Sequence, residues 1–239
     1  MLATFITEWA KLRRSLVLLL CFAAPAMVAL VGLLALTRNR DGGLWIMFSS
    51  SAAGIWAYFM LPMTVTALTV LAAQIEHGPK SWNHLLALPL PRWRIFASKS
   101  AVVMLLVAAM TVGLWLVLPL TGAAAEALGT KLSGVYDWTG TARLLSRMFA
   151  GATLMIVLQL WMALRFRSFV PPLVLGIGGT FVGVAATGSE HGIWFPWLIP
   201  TNALASDPAR ADIALGIGLF GGLAAAALML VDLSRRELA

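Results

Sequence analysis

The sequence predicts an all-α integral membrane protein in which residues 1–239 form a single domain with six transmembrane helices. Of its residues, 60% are hydrophobic and only 11% are charged, whereas a soluble domain carries roughly 25% charged residues. Six apolar segments are long enough to cross the roughly 30 Å hydrocarbon layer, which takes about 20 helical residues. They are 16–37, 46–73, 98–118, 144–164, 169–187 and 212–233.

The first fourteen residues predict an amphipathic helix at the headgroup boundary. Apolar residues recur there at steps of three and four, while Glu8 and Lys11 point toward other faces. The apolar residues are Leu2, Phe5, Ile6, Trp9 and Leu12. The apolar run that follows is longer than the roughly 7–15 residues of a cleavable signal peptide. We therefore interpret it as an uncleaved anchor.

Proline marks the candidate irregularities of the spans. The second segment is the longest and should tilt or kink, with Pro62 as the expected hinge. Pro25 in the first segment and the Pro171-Pro172 pair that opens the fifth are further candidate breaks. The fifth segment is the shortest.

The distribution of charge predicts that both termini are cytoplasmic. With six spans, the side of the termini carries eleven basic and four acidic residues, and the other side carries six of each. The basic residues of the first side are Lys11, Arg13, Arg14, Lys80, Arg92, Arg94, Lys99, Arg165, Arg167, Arg235 and Arg236. Because basic residues concentrate on the cytoplasmic side, the net charge of +7 indicates topology rather than nucleic-acid binding.

The polar segment 74–100 carries the strongest functional pattern on the predicted cytoplasmic side. Gly78-Pro79 and Pro89-x-Pro91 bracket a short helical pattern at 79–88, in which Trp82, Leu85 and Leu86 share one face. This helix should lie flat between the second and third spans and present its apolar face to lipid or to a partner.

Three loops are predicted on the opposite side, and the first of them, 38–45, is short. Residues 119–143 contain a weak helical pattern at Ala123–Leu128, and residues 188–211 contain an apolar, proline-broken stretch that is too short to span. We expect Trp194, Phe195 and Trp197 of this last loop to half-insert at the outer interface and help to close an exit.

Sites of chemistry are absent from the sequence pattern. It contains no G-x-x-x-x-G-K-[ST] phosphate loop, no H-E-x-x-H zinc pair and no G-x-S-x-G elbow. We therefore predict no catalytic residue, no metal site and no cofactor in this chain. Gln159 is the clearest polar residue inside a span, with Thr64, Thr66, Thr69 and Thr153 as milder candidates. Such residues either line a path or bond between helices. The pairs Gly179-x-x-x-Gly183 and Gly218-x-x-x-Gly222 favour close packing within the chain.

The segment from Glu76 to Arg94, followed by Lys99, resembles the cytoplasmic loop of type-two ATP-binding-cassette (ABC) permeases. The shared features are an acidic residue ending the second span, a W-x-x-L-L-x-L-P helix, a Pro-Arg-aromatic step and a lysine entering the third span. Gly-Pro-Lys stands where Gly-Thr or a similar pair is commoner. The aromatic outer loop further resembles the lantibiotic-immunity and bacitracin-export permeases.

The resemblance implies a transporter subunit of the inner (cytoplasmic) membrane of a bacterium that is driven by a separate ATPase. It implies two ATPase copies carrying ATP and Mg, a second permease that is identical or a sister chain, surrounding lipid, and export of or immunity to peptide antibiotics or other amphipathic molecules. The coupling helix would dock on the ATPase through Glu76, Lys80, Trp82, Asn83, Leu85, Leu86, Pro89, Pro91 and Arg92. The alternatives are a membrane anchor that transports nothing and an intramembrane enzyme.

Overall fold

The structure is a computed structural model that describes residues 2–12, 15–38, 43–77 and 91–235. Within these residues almost all secondary structure is helical, which confirms the all-α prediction. The helices are α1 (Leu2–Leu12), α2 (Leu16–Arg38), α3 (Trp45–His77), α4 (Arg92–Ala127), α5 (Trp138–Arg165), α6 (Val170–Ala185) and α7 (Pro208–Arg235). In the described part, five of them are long and apolar enough to cross a membrane, and α6 is a shorter apolar helix.

Helix α3 contains an irregularity just before the proline expected to be its hinge. Residues Trp56–Met60 form a π-helix between the α-helical parts Trp45–Ile55 and Leu61–His77. The backbone N–H of Leu61 donates to the Trp56 carbonyl, five residues back. Pro62 has no N–H and its ring crowds the carbonyl four residues earlier, so the widened turn lies on its N-terminal side. Pro25, by contrast, does not interrupt α2.

Helix α4 is longer than the predicted third span. It continues through Pro119 to Ala127, so the Ala-rich pattern predicted as a loop element is the last part of this helix. A proline is tolerated inside a membrane helix because neighbouring groups satisfy the backbone that it frees. The loop predicted at 119–143 is therefore confined to about ten residues before α5 begins at Trp138.

Helices α5 and α7 pack against each other through glycine. A Cβ at Gly218 would lie only 2.2 Å from the Gly151 carbonyl oxygen, and one at Gly222 would lie 2.6 Å from Thr153. The two helical parts of α5, Trp138–Gly151 and Thr153–Arg165, meet at Ala152 beside this contact. The predicted Gly218–Gly222 pair thus serves packing inside the chain.

Helix α6 is followed by a loop that folds back on the bundle. At 16 residues the helix is about 24 Å long, which is short of the roughly 30 Å hydrocarbon layer. The loop contains two 3-10 helices, Glu190–Trp194 and Pro200–Leu204. Between them, Trp197 is buried against Gly179, where a Cβ would approach its ring to 2.5 Å.

The two ends of the bundle differ in what they bring together. At one end, called here the Lys99 end, α1 meets the last turns of α3 and the first turns of α4. At the other, called the Arg210 end, the loop after α6 packs on the beginnings of α5 and α7. Two short strands also meet there, β1 (Gly43–Leu44) in parallel with β2 (Leu132–Ser133).

Candidate functional site

The candidate site is the Lys99 end, where α3 and α4 flank the segment predicted to be a coupling helix. Residues 78–90 lie outside the described residues, and with them the helix predicted at 79–88. Six of the candidate coupling residues fall in that range: Lys80, Trp82, Asn83, Leu85, Leu86 and Pro89. Glu76, Pro91 and Arg92 are described, so the structure defines both points at which the segment joins the bundle.

A closed ring of four charged side chains joins the two flanks to α1. The Lys99 ammonium donates to Glu8 Oε2 at 2.7 Å and to Glu76 Oε2 at 2.8 Å. The Lys11 ammonium donates to the other oxygens of the same carboxylates, at 2.6 Å and 3.1 Å. Each carboxylate therefore bridges two lysines, and the formal charges cancel. We call Glu8, Lys11, Glu76 and Lys99 the ion cluster.

Three members of the ion cluster are withdrawn from water. The side chains of Lys99 and Glu76 are each 1% exposed and that of Glu8 is 5% exposed, whereas Lys11 at 26% lies on the rim. The Ala72 carbonyl accepts a third bond from Lys99 at 3.2 Å, so all three protons of this ammonium have acceptors. A charge can be buried at acceptable cost only with such complete pairing.

The lysines also set the protonation of the α1 residues. Burial opposes the charge of Glu8, but Lys99 and Lys11 outweigh it and hold the pKa of Glu8 below its ordinary value. Burial likewise opposes the charge of Lys11, yet its bonds to Glu8 and Glu76 raise the pKa of Lys11. Both shifts favour the charged forms of Glu8 and Lys11. The bonds of the ion cluster hold α1, α3 and α4 in one arrangement.

The sequence pattern placed Glu8 on the wrong face of α1. Glu8 is buried against α3 and α4, while Ile6 of the predicted apolar face is exposed. A second contact fixes the same orientation, since the Thr4 and Ser98 hydroxyls lie 2.8 Å apart. The helix therefore turns part of its polar face toward the protein, because its charged partners Glu76 and Lys99 lie there on α3 and α4.

Further hydrogen bonds carry the connection from α3 to the rest of the bundle. The Gln74 side chain donates to the Arg167 carbonyl, and His77 Nε2 lies 3.3 Å from the Ala163 carbonyl. Asp232 of α7 in turn accepts from Arg165 at 2.7 Å and from the Trp161 indole at 2.8 Å. The end of α3 is thus tied to α1 and α4 on one side and to α5 on the other.

The described residues at the start of α4 are turned outward. Pro91 precedes the first turn of the helix, and Pro91, Arg92 and Trp93 are exposed. The Arg94 guanidinium carbon lies 5.6 Å from the centre of the Trp93 ring. This surface leads directly from the buried ion cluster to the segment that the structure does not describe.

The polar residues predicted inside the spans bond to backbone. Gln159 Nε2 donates to the Pro172 carbonyl of α6 at 2.6 Å, and its Oε1 has no partner among the described residues. Thr64 and Thr66 donate to the carbonyls of Met60 and Pro62 in their own helix. The Gln159 bond joins two helices. This is the first of the two roles that the sequence allowed, an interhelical bond or a residue that lines a path.

The aromatic residues of the loop after α6 are buried to different degrees. Trp197 is buried, Phe195 is half-buried, and Trp194 is 65% exposed. The Phe195 and Trp197 rings lie 5.7 Å apart. The loop is thus packed on the protein with one indole left at its surface. Over the described residues, no group of three His, Cys, Asp or Glu could hold a metal ion.

The four charges of the ion cluster are visible in the sequence, but their proximity is not. One signal was available: Lys99 occurs three and four residues from Phe96, Val102 and Val103, all of which are buried on one face of α4. A lysine on such an apolar face needs a buried partner of opposite charge. Nothing in the sequence selected Glu8, which is 91 residues away.

Comparison with known proteins supplies the family. The model of a family described as ABC-2 family transporter protein matches residues 4–183, which is most of the chain. No curated protein and no solved structure matches it. The matched range includes all four members of the ion cluster and the segment between α3 and α4. The chain therefore belongs to the ABC-2 family of transporter proteins, as a multi-pass transmembrane component that works with an ABC ATPase subunit.

Proposed function

We propose that this protein is the permease of an ATP-driven exporter and that residues 79–88 form the helix by which a separate ATPase moves it. The assembly contains two permeases, identical or sister chains, and two ATPase subunits that hold ATP and Mg. This proposal keeps the energy source outside the chain, whose sequence carries no phosphate loop.

The ion cluster is the observation that supports the proposal. A helix that docks on an ATPase can transmit force only if both of its ends are firmly joined to the spans. Glu76 lies three residues before the helix predicted at 79–88 and Lys99 lies eleven residues after it, and the two are bonded to each other and to α1. A displacement of the segment would thus be delivered to α1, α3 and α4 as a unit.

The first test removes the predicted docking side chains. We expect the double variant Trp82→Ala and Leu86→Ala to lose the ATPase on co-purification, because truncating a central anchor costs more than ~2 kcal/mol and therefore over tenfold in affinity. The matched control is Trp194→Ala, which removes an exposed indole at the Arg210 end. If the double variant keeps full ATPase association and transport, the exporter hypothesis is wrong and the alternative of a membrane anchor is favoured.

The second test concerns orientation in the bacterial cytoplasmic membrane. The charge asymmetry supports cytoplasmic termini and a cytoplasmic Lys99 end. In a chain whose only cysteine, Cys21, is replaced by alanine, we expect an impermeant thiol reagent added to whole cells to label Val135→Cys but not Phe166→Cys. Both side chains are exposed, at 87% and 40%. Labelling of position 166 but not of position 135 would indicate the opposite orientation, with the Lys99 end outside.

The substrate class we propose is peptide antibiotics or other amphipathic molecules. The support is the resemblance of the aromatic loop to immunity and bacitracin-export permeases, together with spans that carry few charges. In the reconstituted complex, ATP hydrolysis should rise with the transported peptide. Hydrolysis that is unchanged across a panel of lantibiotics and bacitracin would remove this substrate class without affecting the docking proposal.

A further inference from the structure

A pocket of about 460 Å³ opens at the Arg210 end. It lies between the end of α6, the loop with the two 3-10 helices, the start of α7 and the π-helical part of α3. Ligand sites usually measure about 300–1,000 Å³, so this one has the size of a small polar head rather than of a whole peptide. Hydroxyl, amide and charged side chains contribute to its wall, among them Tyr58, Thr187, Asn202, Asp207 and Arg210.

The Arg210 guanidinium is held in the pocket by neutral groups. Its Nε donates to Asn202 Oδ1 and its Nη2 to the Ser189 carbonyl, both at 2.9 Å. Asn202 is itself buried and fixed by a 2.8 Å bond from its amide to the Leu198 carbonyl. Within the described part of the chain no carboxylate lies within 4 Å of Arg210, in contrast to Arg147 and Arg165, which each pair with an aspartate.

This arrangement prepares the arginine for an oxyanion. A guanidinium carries five N–H donors in a rigid fork, and two are used here. The remaining donors and the unneutralised charge match the oxygens of a phosphate or carboxylate. Tyr58 adds a hydroxyl-bearing side chain to the same wall. It comes from a π-helical turn, an element frequently found at functional sites.

Two further features select among oxyanions. Trp194, on the loop beside the pocket, is largely exposed, and so is Phe181 on α6. Tryptophan collects where the hydrocarbon layer meets water, which puts the pocket at the level of lipid headgroups. Asp207 lines the same pocket and pairs with no cation among the described residues. A ligand with both a phosphate and an amine would satisfy both charges.

We propose that this pocket binds the headgroup of a phospholipid that carries a phosphate and a primary amine, with the phosphate on Arg210 and the amine at Asp207. The lipid comes from the leaflet at the Arg210 end. The inference concerns binding alone, so it stands or falls independently of ATP-driven export.

The test measures lipid binding to the purified, delipidated full-length chain by native mass spectrometry, with dioctanoyl phosphatidylethanolamine as the probe. We expect one lipid to bind the wild type saturably. Arg210→Gln should weaken this binding at least about tenfold, since a charge-assisted bond to phosphate is lost. Arg143→Gln is the matched control, because Arg143 is an exposed arginine outside the pocket, and it should bind as the wild type does.

Two conservative variants test the lipid site without the risk that a misfolded protein explains the loss of binding. Tyr58→Phe removes only a hydroxyl and should weaken binding several-fold. Asp207→Asn preserves a residue able to cap α7, where Asp207 accepts from the Ala209 N–H. It should abolish the preference for phosphatidylethanolamine over phosphatidylcholine, whose quaternary amine cannot donate a hydrogen bond.

Three results would overturn the proposal. The first is equal binding by wild type and by the folded Arg210→Gln and Tyr58→Phe variants. The second is equal binding of phosphatidylethanolamine and phosphatidylcholine by the wild type. The third is displacement of the lipid by millimolar inorganic phosphate, which would make the pocket a site for free phosphate rather than for a lipid head.

Discussion

Replacement of Lys99 by methionine is the sharpest test of the ion cluster. The change keeps an unbranched apolar stem and removes the ammonium. Two carboxylates would then remain at 5% and 1% exposure with only the rim lysine, Lys11, to neutralise them. Breaking a buried ion pair by deleting one partner costs about 3–5 kcal/mol, because the other charge stays buried. At roughly 2–4 °C per kcal/mol, the unfolding midpoint should fall by roughly 6–20 °C.

The assay is thermal unfolding of the purified chain in one detergent at pH 7, with two reference variants. Lys11→Met removes the 26% exposed member and should lower the midpoint by less than Lys99→Met does, because its ammonium is partly solvated and Lys99 still bonds both carboxylates. Lys131→Met removes an exposed lysine of the Arg210 end and should leave the midpoint unchanged.

A rescue variant distinguishes lost charge balance from lost packing. Adding Glu8→Gln and Glu76→Gln to Lys99→Met removes the stranded carboxylates, so most of the lost stability should return. The reasoning is refuted if Lys99→Met unfolds within about 2 °C of the wild type, or if the two added glutamines lower the midpoint further.

Three other outcomes follow from single contacts. Gly218→Ala should lower the free energy of unfolding by about 1–3 kcal/mol, as overpacking does, because its Cβ would lie 2.2 Å from the Gly151 carbonyl oxygen. The control is Gly216→Ala, whose Cβ meets nothing within 4 Å and which should be neutral or stabilising in the same unfolding assay. The pKa of Glu8 is lowered from 4.5, so its stabilisation is complete above that pH and is lost as the pH falls through the folded pKa; unfolding midpoints from pH 7 to 3 should show this loss, and Glu8→Gln should not. Gln159→Leu removes one hydrogen bond but also a buried unpaired oxygen, so the free energy of unfolding should change by less than about 1 kcal/mol and transport should be retained. A loss of transport without a loss of stability would instead show that Gln159 lines the transport path.

The hydrophobicity of each segment, added residue by residue, was enough to predict the all-α membrane fold. Apolar segments of sufficient length predicted the spans, because crossing the hydrocarbon depends mainly on the composition of each segment. The sequence also placed an irregularity near Pro62, since proline acts on its own helix. It missed the extension of α4 to Ala127 because Pro119 is a helix breaker in water and is tolerated among neighbouring helices.

The sites depended on how the helices pack. Glu8 and Glu76 meet Lys99 across separations of 91 and 23 residues, and no helical period in α1 indicates that its acidic residue faces inward. Arg210 likewise became a candidate only once its guanidinium was seen to rest on Asn202 and Ser189 rather than on a carboxylate. The sequence by itself determined which segments enter the membrane, because that free energy is summed residue by residue. The tertiary structure alone decided which charges are buried together, because a charge is stabilised by the groups around it in space and not by its neighbours in the chain.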